Sequence, residues 1–220
     1  MSFNIDEYFE KVLADLENIN HINPKDLPNI DLYMDQVTTF MDAKLTTTKR
    51  HADDKIMTKT MINNYSKNDL LPPPVKKKYS KEHMLELIFI YYFKNMLSIG
   101  DIQTLLKPIS DKYFQSKDGL NLDDIYKEIY KNSKRDLVDI EEDLRSHFEK
   151  SKESFTDETG DDKQFLQLYT FVCSLAFEVY IKKHIMEQII DGFFENYEGP
   201  NEAEVDESKK AKKKTTKSKE

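Results

Sequence analysis

The stretch Met57-Thr-Lys-Thr-Met-Ile-Asn-Asn-Tyr-Ser-Lys-Asn-Asp-Leu-Leu-Pro-Pro-Pro-Val-Lys-Lys-Lys-Tyr79 decides how the rest of the chain is read. Thr58 is a good helix N-cap, because its hydroxyl accepts an orphan amide of the first turn, and it predicts a short helix up to Asn68. Pro72, Pro73 and Pro74 forbid continuation, since each lacks an amide donor and clashes with the preceding turn. On that helix Met61, Ile62 and Tyr65 turn inward. Lys59, Asn63 and Lys67 recur at i, i+4 and i+8 on the outer stripe, with Thr60 and Asn64 beside them. Lys76, Lys77, Lys78 and Tyr79 follow on a proline-stiffened basic segment, where a minimal β-hairpin over residues 73–79 is expected.

Working outward, Ile5, Phe9, Val12, Leu13, Leu16 and Ile19 are spaced for an amphipathic helix over 5–19, broken off by Pro24 and Pro28. A second helix is expected from Asp31, as N-cap, to about Leu45, burying Val37, Phe40 and Met41; residues 46–54 read as loop. Ser80 is expected to cap a long helix reaching Leu97. Ser98-x-x-Asp101 resembles a capping box for a short helix through Leu106, which Pro108 is expected to stop. Asn121 caps a further helix bearing Ile125, Ile129, Leu137, Ile140, Leu144 and Phe148, and residues 156–162 read as a polar loop. From Phe165 to Tyr197 the chain is most apolar, with both faces filled as far as Ile181, as suits a buried core helix or a dimer helix. Gln167, Glu178, Lys182 and Lys183 interrupt the window of roughly 20 apolar residues that a membrane span needs.

Composition supports the helical reading. Five Gly and seven Pro among 220 residues, against 12 Tyr and 13 Phe, leave too few turn-makers for a many-stranded sandwich. A single cysteine, Cys173, excludes an internal disulfide and a cysteine-rich zinc module, and its apolar neighbours suggest a buried, inert thiol. The N-terminus opens on Asp6, Glu7 and Glu10 instead of a basic stretch before an apolar run, so a cytoplasmic protein is expected. The formal charge of −8 conceals segregation. Nine Lys/Arg face four acids from Lys49 to Glu82, a local +5; seven Lys face one Glu from Lys209 to Glu220, a local +6; the remainder carries −19. Fields fade within about 8–10 Å at physiological salt, so a local basic patch steers a polyanion more than net charge does.

The order of parts carries the functional reading. Asn is suited to pair in two-pronged fashion with adenine in the major groove, and Lys to meet guanine or phosphate. With Met57 to Pro72, then Lys77-Lys-Tyr79, then Ser98-Ile-Gly-Asp-Ile-Gln-Thr-Leu-Leu106, residues 31–107 resemble the MerR-like winged helix-turn-helix superfamily. They look closest to a bacterial domain-of-unknown-function family of low-GC Gram-positive bacteria. In that pattern a recognition helix ending in Tyr precedes a Gly-Leu-Leu-x-Pro turn, a basic-x-Tyr wing, a helix, and a short S-x-x-E-I-x-x-L-L helix. Tyr65, Leu70, Leu71, Lys77, Tyr79, Ile102 and Leu105 match it in order. The chain departs at Asn63, where the superfamily commonly has arginine, at Asn64, where an aromatic is usual, and at Asp69, where glycine is usual. The loop before the matched helix is also longer. The resemblance implies a dimeric, sequence-specific double-stranded DNA-binding regulator of transcription.

The expected organisation is all-α: an N-terminal helix (1–25), a winged helix-turn-helix DNA-binding domain (26–108), a helical dimerisation or partner domain (109–198) and a disordered lysine-rich tail (199–220). Lys59, Thr60, Asn63, Asn64 and Lys67 are expected to face the groove, and Lys76, Lys77, Lys78 and Tyr79 to hold the backbone. The partners expected are double-stranded DNA and a second copy through the C-terminal helices, with no membrane. Five histidines lie scattered with no i, i+4 pair, and no glycine-rich phosphate loop exists, so no metal, cofactor or catalytic residue is expected. The alternative is a helical protein–protein adaptor that keeps the fold without binding DNA.

Overall fold

The computed structural model describes residues 4–16, 21–116 and 119–197; the expected lysine-rich tail lies outside them. It is mostly helical, as the composition predicts. Helix α1 spans Ile5–Leu16, strand β1 Leu32–Tyr33, α2 Met34–Lys44, α3 Lys59–Lys67, strand β2 Lys78–Tyr79, α4 Lys81–Phe93, α5 Ile99–Tyr113, α6 Leu122–Lys152 and α7 Gly160–Ile189, which runs into a π-helical turn at Ile190–Phe194.

The main core gathers around α4, which is apolar on all sides and buried from His83 to Tyr91. Val37 and Met41 of α2, Ile62 and Tyr65 of α3, Ile102 and Leu106 of α5, and Leu122 and Tyr126 of α6 pack in the same core. Tyr126 donates its buried hydroxyl to the Ile22 carbonyl at 2.6 Å, fixing the chain before α2 against α6. A second, smaller core forms where α1 meets the far end of the α6–α7 pair. There Phe9 stacks on Phe148 at 3.9 Å between centroids, and Phe171 meets both rings edge-on at 5.5 Å. Two ion pairs frame it, Arg145 to Glu10 at 2.5 Å and Lys152 to Asp6 at 2.9 Å.

Several sequence expectations need correction. α2 starts after Tyr33, not Asp31, because Leu32 and Tyr33 are drawn into pairing with β2; the Tyr33 amide donates to the Gln36 side chain at 2.8 Å. α4 ends at Phe93 and not at Leu97. α5 does not stop at Pro108 but continues to Tyr113. A proline removes one helical hydrogen bond, and here Ile109 and Tyr113 beyond it pack on the main core while Ser110 bonds Glu86. α7 begins at Gly160, within the stretch expected to be loop. Of the two readings of 165–197, a buried core helix or a dimer helix, the first fails: in α7 only Gln167 and Phe171 are buried, and Cys173, expected to be inert and covered, is exposed.

Candidate functional site

α3 is closed at both ends by its own sequence. The Thr58 hydroxyl accepts the Met61 amide at 3.2 Å, as the cap requires. At the other end Asp69 adopts the left-handed conformation at φ 54, and the Leu70 amide returns to the Tyr65 carbonyl at 2.9 Å. That six-to-one bond is a Schellman stop, completed by the buried side chains of Leu70 and Tyr65. Asp69 therefore performs the backbone role usually given to glycine.

With Ile62 and Tyr65 buried beneath, Lys59, Thr60, Asn63, Asn64 and Lys67 are all exposed on the outward face. Lys59 pairs with Asp35 of α2. Lys67 has no acidic side chain within ion-pair distance among the described residues, and the same holds for Arg50 and Lys55 on the preceding loop. The face therefore presents two asparagine amides, a hydroxyl and a net positive charge.

The basic segment after α3 forms a tight hairpin. Val75 and Lys78 exchange both backbone hydrogen bonds, at 3.1 and 3.0 Å, across Lys76 and Lys77, which sit at φ 50 and 64. This is the primed turn that matches strand twist, built on two lysines where glycine or asparagine is usual. Both tip lysines are exposed. β2 pairs antiparallel with β1 in the register Leu32 opposite Tyr79 and Tyr33 opposite Lys78. Because side chains alternate across a strand, this register sends Leu32 and Tyr79 inward and Tyr33 and Lys78 outward. Lys78 is half-buried, with its ammonium 5.3 Å from the centre of the Tyr33 ring.

Tyr79 is thus a correction. It is 3% exposed and packs edge-on to His83, so it is a core residue under the hairpin and not a surface contact. Burial pushes its hydroxyl pKa up. His83 is buried as well: its Nδ1 accepts the Ser80 amide at 3.0 Å, leaving Nε2–H to donate to the Pro73 carbonyl at 3.4 Å. Burial holds its pKa below the usual value, which keeps the ring neutral and the proline arm of the hairpin tied to α4. Lys81 is taken up by Asp123 of α6 at 2.8 Å.

Behind the hairpin arm a cleft of about 520 Å³ separates the turn after α3 from α5, lined among others by Asp69, Leu71, Pro73, Gln103, Lys107 and Ser110. Gln103 bridges it by donating to the Asn68 carbonyl. The Ser110 hydroxyl reaches inward to Glu86, a fully buried carboxyl on α4 whose pKa burial raises to about 7. A sequence reading does not find Glu86, since a single acid in an apolar helix gives no sign of which way it points. Nor does it find the group of Asp143, His147 and Glu178, whose ligand-capable atoms lie within 4.8 Å of one another across α6 and α7. Glu178 is engaged there by Lys182 at 2.8 Å.

Residues 22–129 match the model of a family described as Domain of unknown function (DUF1836). No curated protein and no solved structure matches the chain. The matched span contains α3, the hairpin and the cleft, and the Tyr126–Ile22 hydrogen bond joins its first residue to its last helix.

Proposed function

We propose that the domain matched by this uncharacterised family is a MerR-like winged helix-turn-helix, and that the chain is a cytoplasmic, sequence-specific double-stranded DNA-binding regulator of transcription with no catalytic role. The observation that carries the reading is the pairing of a capped helix with an exposed Lys/Asn/Thr face and a basic hairpin tip directly after it. In this reading α3 enters the major groove. Asn63 and Asn64 offer the donor and acceptor pair that adenine's edge requires, and Lys59 and Lys67 neutralise phosphate or meet guanine. Lys76 and Lys77 lie on the flanking backbone, positioning the helix without reading sequence. Lys78 contributes charge from beside Tyr33, and Tyr79 supports the wing from within.

The test is fluorescence anisotropy of the full chain against its own promoter duplex and a scrambled duplex, across a salt titration. Each phosphate that a variant leaves without its lysine should reduce the salt slope by about 0.9. Lys76→Glu with Lys77→Glu should weaken binding to both duplexes and flatten the slope. Asn63→Ala or Asn64→Ala should cost about 1–3 kcal/mol of discrimination between the duplexes, with little change in slope. Equal binding to both duplexes, indifferent to the asparagines, would overturn sequence-specific recognition.

A second reading, a helical protein–protein adaptor, is favoured by one observation: α7 exposes large apolar side chains that no other described residue covers. An adaptor would ignore both salt and the hairpin lysines.

A further inference from the structure

Where α6 and α7 lie side by side, three side chains able to ligate a metal converge. Asp143 and His147 stand one helical turn apart on α6 and so share a face of that helix. Glu178 meets them from α7. We propose that these three residues form a site for a divalent transition-metal ion of the zinc class, which ties α6 to α7.

Three observations carry it. The first is spacing. One ligand-capable atom from each residue lies within 4.8 Å of the other two. His147 Nδ1 stands 3.8 Å from Glu178 Oε2, and its Nε2 3.9 Å from Asp143 Oδ1, both too long for hydrogen bonds. A tetrahedral ion with bonds of about 2.0–2.2 Å sets its ligands about 3.4 Å apart, so shifts on the order of 1 Å close the triad. Asp143 makes the largest of them by rotating about its own side-chain bonds, which its half-exposed carboxylate permits. The second is the imidazole. His147 Nδ1 is buried and has no hydrogen-bond partner among the described residues. Buried polar atoms are nearly always paired, and a ring nitrogen lone pair facing a carboxylate oxygen gains nothing until a cation stands between them. The third is charge. Lys182 takes Glu178 Oε1 at 2.8 Å and leaves Oε2 on the His147 side. One lysine against two carboxylates leaves the group negative.

The donor set selects the metal. One imidazole nitrogen with two carboxylates suits Zn²⁺ better than Mg²⁺ or Ca²⁺, which take oxygen ligands. Three protein ligands leave a fourth position to water. All three residues lie beyond residue 129, outside the span matched to the family, so the site stands apart from the DNA-binding reading.

The test titrates Zn²⁺ into the metal-stripped full chain by calorimetry and should find one ion per chain. Zn²⁺ should also raise the thermal midpoint of unfolding, since an ion held only by the folded helix pair stabilises it. His147→Gln and Glu178→Gln should each remove both effects, with helical circular dichroism unchanged. Cys173→Ser and His184→Gln, which replace other exposed groups with affinity for zinc, should leave both effects intact. In the Cys173→Ser background, His147→Cys should keep the ion. With Co²⁺ in place of Zn²⁺, that variant should add a thiolate-to-cobalt charge-transfer band that the histidine chain lacks. A chain that takes up no Zn²⁺ at tens of micromolar overturns the proposal. So does binding that survives both His147→Gln and Glu178→Gln, or that is lost with Cys173→Ser or His184→Gln, because the ion then sits elsewhere.

Discussion

In α4, nine consecutive residues from His83 to Tyr91 are buried, whereas α7, which is apolar over a longer run, buries only Gln167 and Phe171. α4 is enclosed by β2, α5 and α6. α7 has α6 along one side and α1 near one end, and its opposite side faces solvent. The lesson is about what apolarity in a helix encodes: it states how much cover the helix needs, but the rest of the chain decides how much it receives. α4 has its demand met within the described chain. α7 carries a demand left open.

The contrast is tested most severely by removing equal kinds of atoms from both helices. Ile88→Ala in α4 should lower unfolding stability by about 2–5 kcal/mol, since that side chain is fully enclosed and leaves a cavity. Phe177→Ala in α7, measured by urea unfolding of the dilute chain, should cost about 0.5 kcal/mol or less. Similar losses at both sites would erase the distinction.

A pH titration of stability separates the two helices further. Glu86 is enclosed by α4's surroundings and its carboxyl is raised from 4.5 to about 7 by burial, against a smaller opposing effect of the Ser110 hydrogen bond. The folded chain therefore holds this proton to higher pH than the unfolded chain does. The contribution is complete below about 4.5 and is lost as pH rises through about 7, a fall of about 3 kcal/mol. Glu86→Gln should flatten that slope. Glu178 on α7, held below its usual value mainly by Lys182, should leave stability in the same window unchanged.

Smaller effects are expected at the edges of the enclosed region. Tyr126→Phe strands the buried Ile22 carbonyl and should cost about 1–2 kcal/mol in the same unfolding assay. Thr58→Ala removes only a cap on a short helix and should cost about 1 kcal/mol. A ranking with Thr58 above Tyr126 would mean that α3 depends on its cap more than the domain depends on its closure.

What could be read in advance divides along similar lines. The limits of α3 and the start of α5 were legible because Thr58, the prolines at 72–74 and the Ser98–Asp101 pair act on backbone within a few residues of themselves. The outward set from Lys59 to Lys67 was legible because helical periodicity alone assigns faces. β1 was not, since two residues become a strand only by pairing with a segment far along the chain. The fate of Tyr79 depended on that same register, and its lysine neighbours pointed the wrong way. Pro108 misled because the helix beyond it is held by contacts with α4, which no local rule contains. Cys173 misled for the converse reason: apolar neighbours in sequence give no assurance of neighbours in space.

The pairing of Leu32–Tyr33 with Lys78–Tyr79 has a thermodynamic consequence. It closes a loop that contains α2 and α3 and ends at the base of the hairpin, so the outward face of α3 and the Lys76–Lys77 tip belong to one ordered body. The entropy of setting their separation is spent during folding and does not recur on binding. A ligand whose contact points repeat at that separation engages both at once, the second at the effective concentration of a rigid tether. One whose contact points are spaced differently gains only one of the two, so the ladder that shapes the hairpin also acts as a ruler.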